Sequence, residues 1–191
     1  MGRWEPDSRG RLETAALALF GERGFENTTV VEIAARAGLT ERTFFRYFAD
    51  KREVLFGGAG ALRELLVGTV DGAPENADPL DVVVAAFEAA AAMLQERREF
   101  ALRRQAVIAA NTELREREVI KLALLAAAVA DALRRRGVSE TAASLIADTG
   151  IAIFSAAFAA WINETEHREF PLLIRESFDE LRAVTAGATR P

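Results

Sequence analysis

Residues 28–51, TTVVEIAARAGLTERTFFRYFADK, decide the fold. Val30, Ile33, Ala34 and Ala37 recur at the spacing of one apolar helix face. Thr29 stands where that helix needs a cap, and Glu32 follows three residues on, which predicts a capping box. Gly38 supplies the backbone freedom for a sharp turn. Thr40 then caps a second helix carrying Phe44, Phe45, Tyr47 and Phe48, and Asp50 with Glu53 repeats the cap signal. Two short helices joined by a glycine-containing turn predict a helix-turn-helix. In such a unit the second helix enters the major groove with its N-terminal end near the base edges.

Working outward, Arg9 to Gly24 predicts a preceding helix with Leu12, Ala15, Ala16, Leu19 and Phe20 on one stripe. Gly24 stops it and Phe25 follows as a core plug. Three short helices sharing Leu12, Leu19, Phe20, Phe25, Ile33, Leu39, Phe44 and Phe48 form a compact core, though one small for independent stability. Residues 1–8 read as a flexible arm whose Arg3, with Arg9 and Arg11 beyond it, either meets phosphates or simply frays.

Composition bounds the chemistry. The chain has 191 residues, half of them apolar, enough for a sizeable core. Without cysteine there is no disulfide, thiolate metal site or thiol nucleophile. His167 is the single imidazole, so a multi-histidine metal centre is excluded. His167 lies among Glu164, Glu166 and Glu169, a polar helix end rather than a catalytic cluster, and neither enzyme activity, metal nor cofactor is expected. No basic leader precedes an apolar run, and the longest apolar stretch, Ile151 to Ile162, is too short to span a membrane. A cytoplasmic protein with no membrane partner is expected.

The net charge of −5 is unevenly spread. Residues 1–56 hold nine basic and nine acidic side chains, while residues 57–191 hold 15 and 20. Within 36–52 five basic residues, Arg36, Arg42, Arg46, Lys51 and Arg52, face two acidic ones, Glu41 and Asp50. That cluster is either a local nucleic-acid footprint or an ordinary solvated surface.

Beyond the head, Asp50 opens a fourth helix through Val54, Leu55, Ala59, Leu62, Leu65 and Leu66, weakened by Gly57, Gly58 and Gly60. Residues 68–79 read as loop. Helices follow from Leu80 to Glu96 and from Phe100 to Ala110. Another runs from Leu114 to Arg136, with Val119, Leu122, Leu125, Val129 and Leu133 inward and Gly137 as stop. The next reaches from Ser139 to about Asn163, and the last begins near Pro171. The final two helices carry more apolar surface than one core stripe needs. Phe154, Phe158, Trp161, Leu173 and Phe178 either cover a partner subunit in a four-helix interface or fill the core of one chain. The small residues around Ala85 to Ala92 allow either close packing or room for a ligand. Polar contacts in such a cavity have Arg103, Arg104, Gln105, Asn111 and His167 as candidates, although Asn111 and Glu113 read better as helix caps.

The stretch AALALFGERGFENTTVVEIAARAGLTERTFFRYFADKREVLF resembles the TetR family of bacterial transcriptional regulators over residues 9–56. The resemblance rests on the three-helix order, the aromatic-rich recognition segment and the lysine opening the fourth helix. It implies an all-α protein: an N-terminal three-helix helix-turn-helix head over 9–56 and a larger helical ligand-binding and dimerisation domain over 57–191. It further implies a homodimer on a palindromic double-stranded DNA operator, a repressor released by a small apolar or amphipathic effector. By that resemblance Thr43, Phe45, Tyr47 and Lys51 hold the DNA backbone, Thr29 seats a phosphate, and Glu41 and Arg42 reach base edges. Phe45 departs from the pattern, since tyrosine is common there and phenylalanine has no hydroxyl. From the residues alone, Arg42 has the fork for guanine O6 and N7, and Arg46 shares its side at i+4. Thr40 completes the group as the cap of the recognition helix. Other readings remain: a constitutive repressor without inducer, or a helical small-molecule-binding or scaffold protein.

Overall fold

A computed structural model describes residues 7–163 and 168–187. The described residues are helices and connections: α1 (Ser8–Arg23), α2 (Val30–Arg36), α3 (Glu41–Tyr47), α4 (Glu53–Phe56), α5 (Ala59–Asp71), α6 (Pro79–Gln95), α7 (Arg98–Ala109), α8 (Thr112–Arg135), α9 (Glu140–Asn163) and α10 (Phe170–Thr185). They form two compact units. Unit 1 takes the chain to Ala59 together with Glu99–Glu118, and unit 2 takes Gly60–Arg98 and everything from Val119. The division is therefore not one cut along the sequence.

The ends of the helices in unit 1 follow from side-chain chemistry. The Asp7 carboxylate accepts from Gly10 N at 2.9 Å and starts α1. Gly24, at φ 83°, ends it and donates to Phe20 O. The capping box of α2 is formed: Glu32 N donates to Thr29 Oγ1 at 3.3 Å, and Thr29 N donates to a Glu32 carboxylate oxygen at 2.9 Å. Gly38 turns the chain at φ 66°. Thr43 N donates to Thr40 Oγ1 at 3.2 Å to start α3. Asp50 accepts from the Arg52 and Glu53 amides ahead of α4.

The long fourth helix expected from sequence is broken. α4 ends at Phe56 and α5 begins at Ala59, across Gly57-Gly58. A Cβ on Gly57 would lie 2.8 Å from the Glu53 carbonyl oxygen and 2.9 Å from the Arg9 guanidinium, so the chain passes too close for a side chain.

The core of unit 1 contains Leu12, Leu19, Phe20, Phe25, Ile33, Phe44 and Phe48, with Leu39 partly buried against it. It also contains Val107, Ile108 and Leu114, brought from α7 and the first turn of α8. A three-helix head has too little interior of its own, and these residues supply a further wall. Polar groups reinforce it. Arg104 Nε donates to Leu55 O at 2.6 Å, and its guanidinium pairs with Glu118, also at 2.6 Å. The Arg104 and Arg117 guanidinia both lie over the Phe56 ring, at 5.1 and 5.0 Å from its centre. Arg52 pairs with Glu113 at 2.9 Å, Arg117 with Glu53, and Asn111 donates to Glu26 at 2.8 Å while capping α8 at Leu114 N.

In unit 2, α6, α9 and α10 pack on one another. Ala86, Ala90 and Ala91 are fully buried, so on this face the small residues serve close packing. Gly150 carries the tightest approach, since a Cβ there would come within 2.4 Å of the Phe87 ring. Phe87, Phe154, Phe158, Trp161 and Phe170 form one aromatic cluster, with Trp161 stacked on Phe170 at 4.8 Å. The loop expected over 68–79 is shorter, since α5 continues through Asp71, and the arginines closing α8 tie down the end of α5 and the connection after it: Arg135 pairs with Asp71 at 2.8 Å and Arg136 donates to Ala73 O at 2.7 Å.

Two expectations are corrected here. The residues assigned to a partner subunit are interior to one chain. Trp161 and Phe178 are 0% exposed, Leu173 6% and Phe154 7%, and Phe158 is half-buried against Trp161 and Phe170. Their rings are consumed by packing between α6, α9 and α10. Val119, expected inward on α8, is exposed, while Leu125, Val129 and Leu133 are buried as expected. Among the described residues one helix, α9, is long and apolar enough to cross a membrane by length and composition, with one third of its apolar window buried.

Candidate nucleic-acid interface

α3 is seven residues long and two-faced. Phe44 and Phe48 are buried, with ring centroids 5.3 Å apart. Arg42, Phe45 and Arg46 occupy the opposite side and are exposed. Phe45 is 52% exposed and braced edge-on against Phe44 at 5.6 Å, so its ring stands out from the helix in a fixed direction. The Arg46 guanidinium lies 4.8 Å from the Tyr47 ring centre and donates to the Tyr47 hydroxyl at 2.9 Å. Among the described residues, Glu41 and Arg42 form no ion pair, with each other or with any neighbour. A guanidinium left in water on an exposed helix face keeps all its donors for a ligand.

The threonines are partly engaged. Thr40 and Thr43 hydroxyls are hydrogen-bonded to each other at 2.9 Å, and Thr29 Oγ1 shares the Glu32 carboxylate with its own amide. The cap bonds of Thr29, first from its backbone N–H and then from its hydroxyl, with Arg23 adding to them, hold the Glu32 carboxyl below its ordinary value. Arg36, expected to be a weaker contributor, is paired with Glu22 on α1, whose carboxyl that hydrogen bond holds low. For Asp50, burial raises the pKa, but hydrogen bonds from the Arg52 side chain and the Arg52 and Glu53 amides outweigh it and leave it lowered.

Lys51 is engaged within the head. Its ammonium donates to the carbonyls of Phe25, Glu26 and Thr28 at 2.8, 3.2 and 3.0 Å. Three protons meet three acceptors, so in this conformation none is left for a phosphate. Arg9 and Arg11 are also drawn onto the head: Arg9 lies over the Phe48 ring at 5.2 Å and pairs with Glu13, and Arg11 donates to Ala37 O. Arg3 lies outside the described residues, as does His167. Arg103 pairs with Glu99 and Arg104 with Glu118, so neither is a free cavity contact. No cluster of metal-ligating side chains occurs among the described residues.

What the sequence reading missed is the part played by residues 99–118 in the head. Asn111 reads as a cap, but nothing local signals that Val107, Ile108 and Leu114 belong to the core of the head.

A capped two-helix unit with an outward-facing basic and aromatic recognition helix, followed by a helical domain, defines a helix-turn-helix regulator. The model of the bacterial regulatory proteins of the tetR family matches residues 13–56, and the model of the MftR C-terminal domain matches residues 77–186, more than half of the chain. The chain belongs to the TetR family of bacterial regulatory proteins, and its larger part is of the kind that closes MftR. It is 38% identical over 82 residues to the HTH-type transcriptional regulator TcmR of Streptomyces glaucescens, covering 43% of this chain and 36% of that one. It is 30% identical over 87 residues to the protein named as mycofactocin biosynthesis transcriptional regulator MftR in Mycobacterium tuberculosis, covering 46% and 44%. These matches span less than half of either relative. The fold is shared with the Thermus thermophilus repressor FadR in complex with lauroyl-CoA, at TM-score 0.57 and 23% identity over 96% of both chains. Membership of a regulatory family, rather than the absence of any group, sets the enzyme reading aside.

Proposed function

We propose that this protein is a cytoplasmic, homodimeric, ligand-responsive repressor that binds a palindromic operator. The observation that carries the reading is the division of α3 between buried Phe44 and Phe48 and exposed Arg42, Phe45 and Arg46. Arg42 takes a guanine edge through O6 and N7. Arg46, steered by Tyr47, takes the backbone or a second edge. Thr29, Thr40, Thr43 and Tyr47 offer hydroxyls to phosphates, Glu41 orients Arg42, and Phe45 makes apolar contact where a tyrosine would bond.

Dimerisation falls to other residues than the interior rings. α9 leaves a stripe open, with Leu145 62% exposed and Ala152, Ala156 and Ala160 exposed at helical spacing after it. On α10, Leu172 and Val184 are exposed. An apolar helix with only one third of its window buried fits a second copy of the same surface. The effector is a small apolar or amphipathic molecule. Trp161 Nε1 is buried without an acceptor among the described residues, which favours a ligand bearing a carbonyl or carboxylate. The lauroyl-CoA held by FadR is of that chemical type.

Selection of bound fragments from a random DNA pool tests the reading. A palindrome with two half-sites a helical turn or more apart is the expected result. Recovery of no enriched sequence would leave a helical small-molecule-binding protein.

A further inference from the structure

Lys51 lies in the turn between α3 and α4, yet its ammonium is spent on the connection between α1 and α2. That connection contains neither helix nor strand to pair its carbonyls. An unpaired main-chain carbonyl away from water is costly, and a lysine supplies three rotatable donors at one point. The same ammonium stands 4.4 Å from the centre of the Phe25 ring, which is buried against Phe20 at 5.0 Å. From the other side, the Thr28 hydroxyl donates to Gly24 O at 2.9 Å and reaches Leu19 O at 3.3 Å. Thr28 itself is 1% exposed. The connection is thus gripped twice, once by its own threonine and once from across the head. The next residue, Thr29, starts α2.

We propose that Lys51 is a positioning residue for DNA binding: it locks the α1–α2 connection to the α3–α4 turn and so sets α2 against α3. This rests on the DNA-binding reading above. Lys51 then contributes to affinity through the placement of the two helices and not through a phosphate of its own. The two roles make opposite demands on side-chain chemistry. A phosphate accepts lysine or arginine, and arginine often better. Three carbonyls converging on one nitrogen accept an ammonium, whereas a planar guanidinium spreads its donors away from one another.

The test is the affinity of the full-length protein for its selected operator fragment over a salt series. The proteins compared are wild type, Lys51→Met, Lys51→Arg, Thr28→Val and the Lys51→Met/Thr28→Val double variant, each checked for helix content. Both Lys51 variants are expected to lose about tenfold in affinity with an unchanged salt slope. The double variant should lose less than the product of its singles, because both grips act on one connection. Wild-type affinity in Lys51→Arg, together with a slope lower by about one in Lys51→Met, would overturn the proposal in favour of a phosphate contact. Strictly multiplicative losses would overturn it too. If Lys51→Met does not fold, Lys51→Arg carries the same comparison, with its own Thr28→Val double. Unfolding of both counts against the proposal, since positioning requires a folded head to be misplaced. Failure of the wild type to bind any selected DNA would instead sink the DNA-binding reading, and this inference with it.

Discussion

The helices of unit 1 are held at their ends, and those of unit 2 along their lengths. In the head, α2 and α3 have seven residues each, too short to be stable alone. Their positions come from Asp7, Thr29, Thr40 and Asp50 at the starts, Gly24 and Gly38 at the turns, and Lys51 and Thr28 across the connection. In unit 2, α9 runs for 24 residues and is fixed by what its face meets: Gly150 against Phe87, and Phe154 and Trp161 against Phe170. Presenting a few side chains at defined angles needs many directional bonds. An interior that joins long helices face to face is served by apolar surface, which is adaptable and without direction.

The contrast can be broken first where it is most cooperative. Trp161→Ala should destabilise unit 2 by about 3–5 kcal/mol, through lost burial and the cavity left behind. Denaturant titration followed in both units should show the loss in unit 2, with the caps of the head still protected from hydrogen exchange. Equal loss in both would mean that one packing event holds the whole chain.

Arg104→Ala comes next. The Arg104 and Glu118 side chains are only 13% and 19% exposed, and removal of the guanidinium takes the Arg104 ion pair from Glu118 and the Arg104 donor from Leu55 O. The expected cost is about 2–3 kcal/mol, read in the head although the mutation lies in α7. An unaffected head would break the assignment of residues 99–118 to unit 1.

Arg42→Ala should leave both units as stable as before and cost about 1–3 kcal/mol in operator affinity, relaxing one position in each half-site. A fall spread evenly over all sequences would make Arg42 a backbone contact. Thr29→Ala should cost about 1 kcal/mol of head stability by removal of the cap, measured by thermal melting. The smallest effect is that of acid. The Glu32 carboxyl is held below its ordinary 4.5 by the Thr29 cap. Its contribution to stability is therefore complete above about that value and disappears as the pH falls through the lower value of the folded state. The acid limb of the melting curve should flatten in Glu32→Gln, and an unchanged limb would show that the cap does not depend on the charge.

Much of the head was legible because its determinants are local. Thr29 with Glu32, Gly38 and the alternation of Phe44 and Phe48 with Arg42 and Phe45 each act within a few residues, so order in the sequence is order in space. Lys51 marks the limit: a lysine before a helix gives no sign that its partners lie 23 to 26 residues earlier. The interior of unit 2 was less legible for a related reason. Phe154, Trp161 and Phe178 read as surplus apolar surface on two helices, but how much of it is covered depends on α6, far away in the chain. The stripe from Leu145 to Ala160 is faint in the sequence because alanines give a weak periodic signal. The break at Gly57-Gly58 is half visible: the glycines mark a weak point, but nothing near them shows that Arg9 passes beside Gly57.

The head's missing wall has a consequence during synthesis. A ribosome delivers α1 to α4 first, then all of residues 60–98, and only afterwards Val107, Ile108 and Leu114. At about 5–20 residues per second the nascent head waits seconds with Phe56 and its neighbours uncovered. A fragment cut soon after Ala59 would be arrested in that state, sticky and short-lived, whereas one extended to Glu118 would have every piece of its interior.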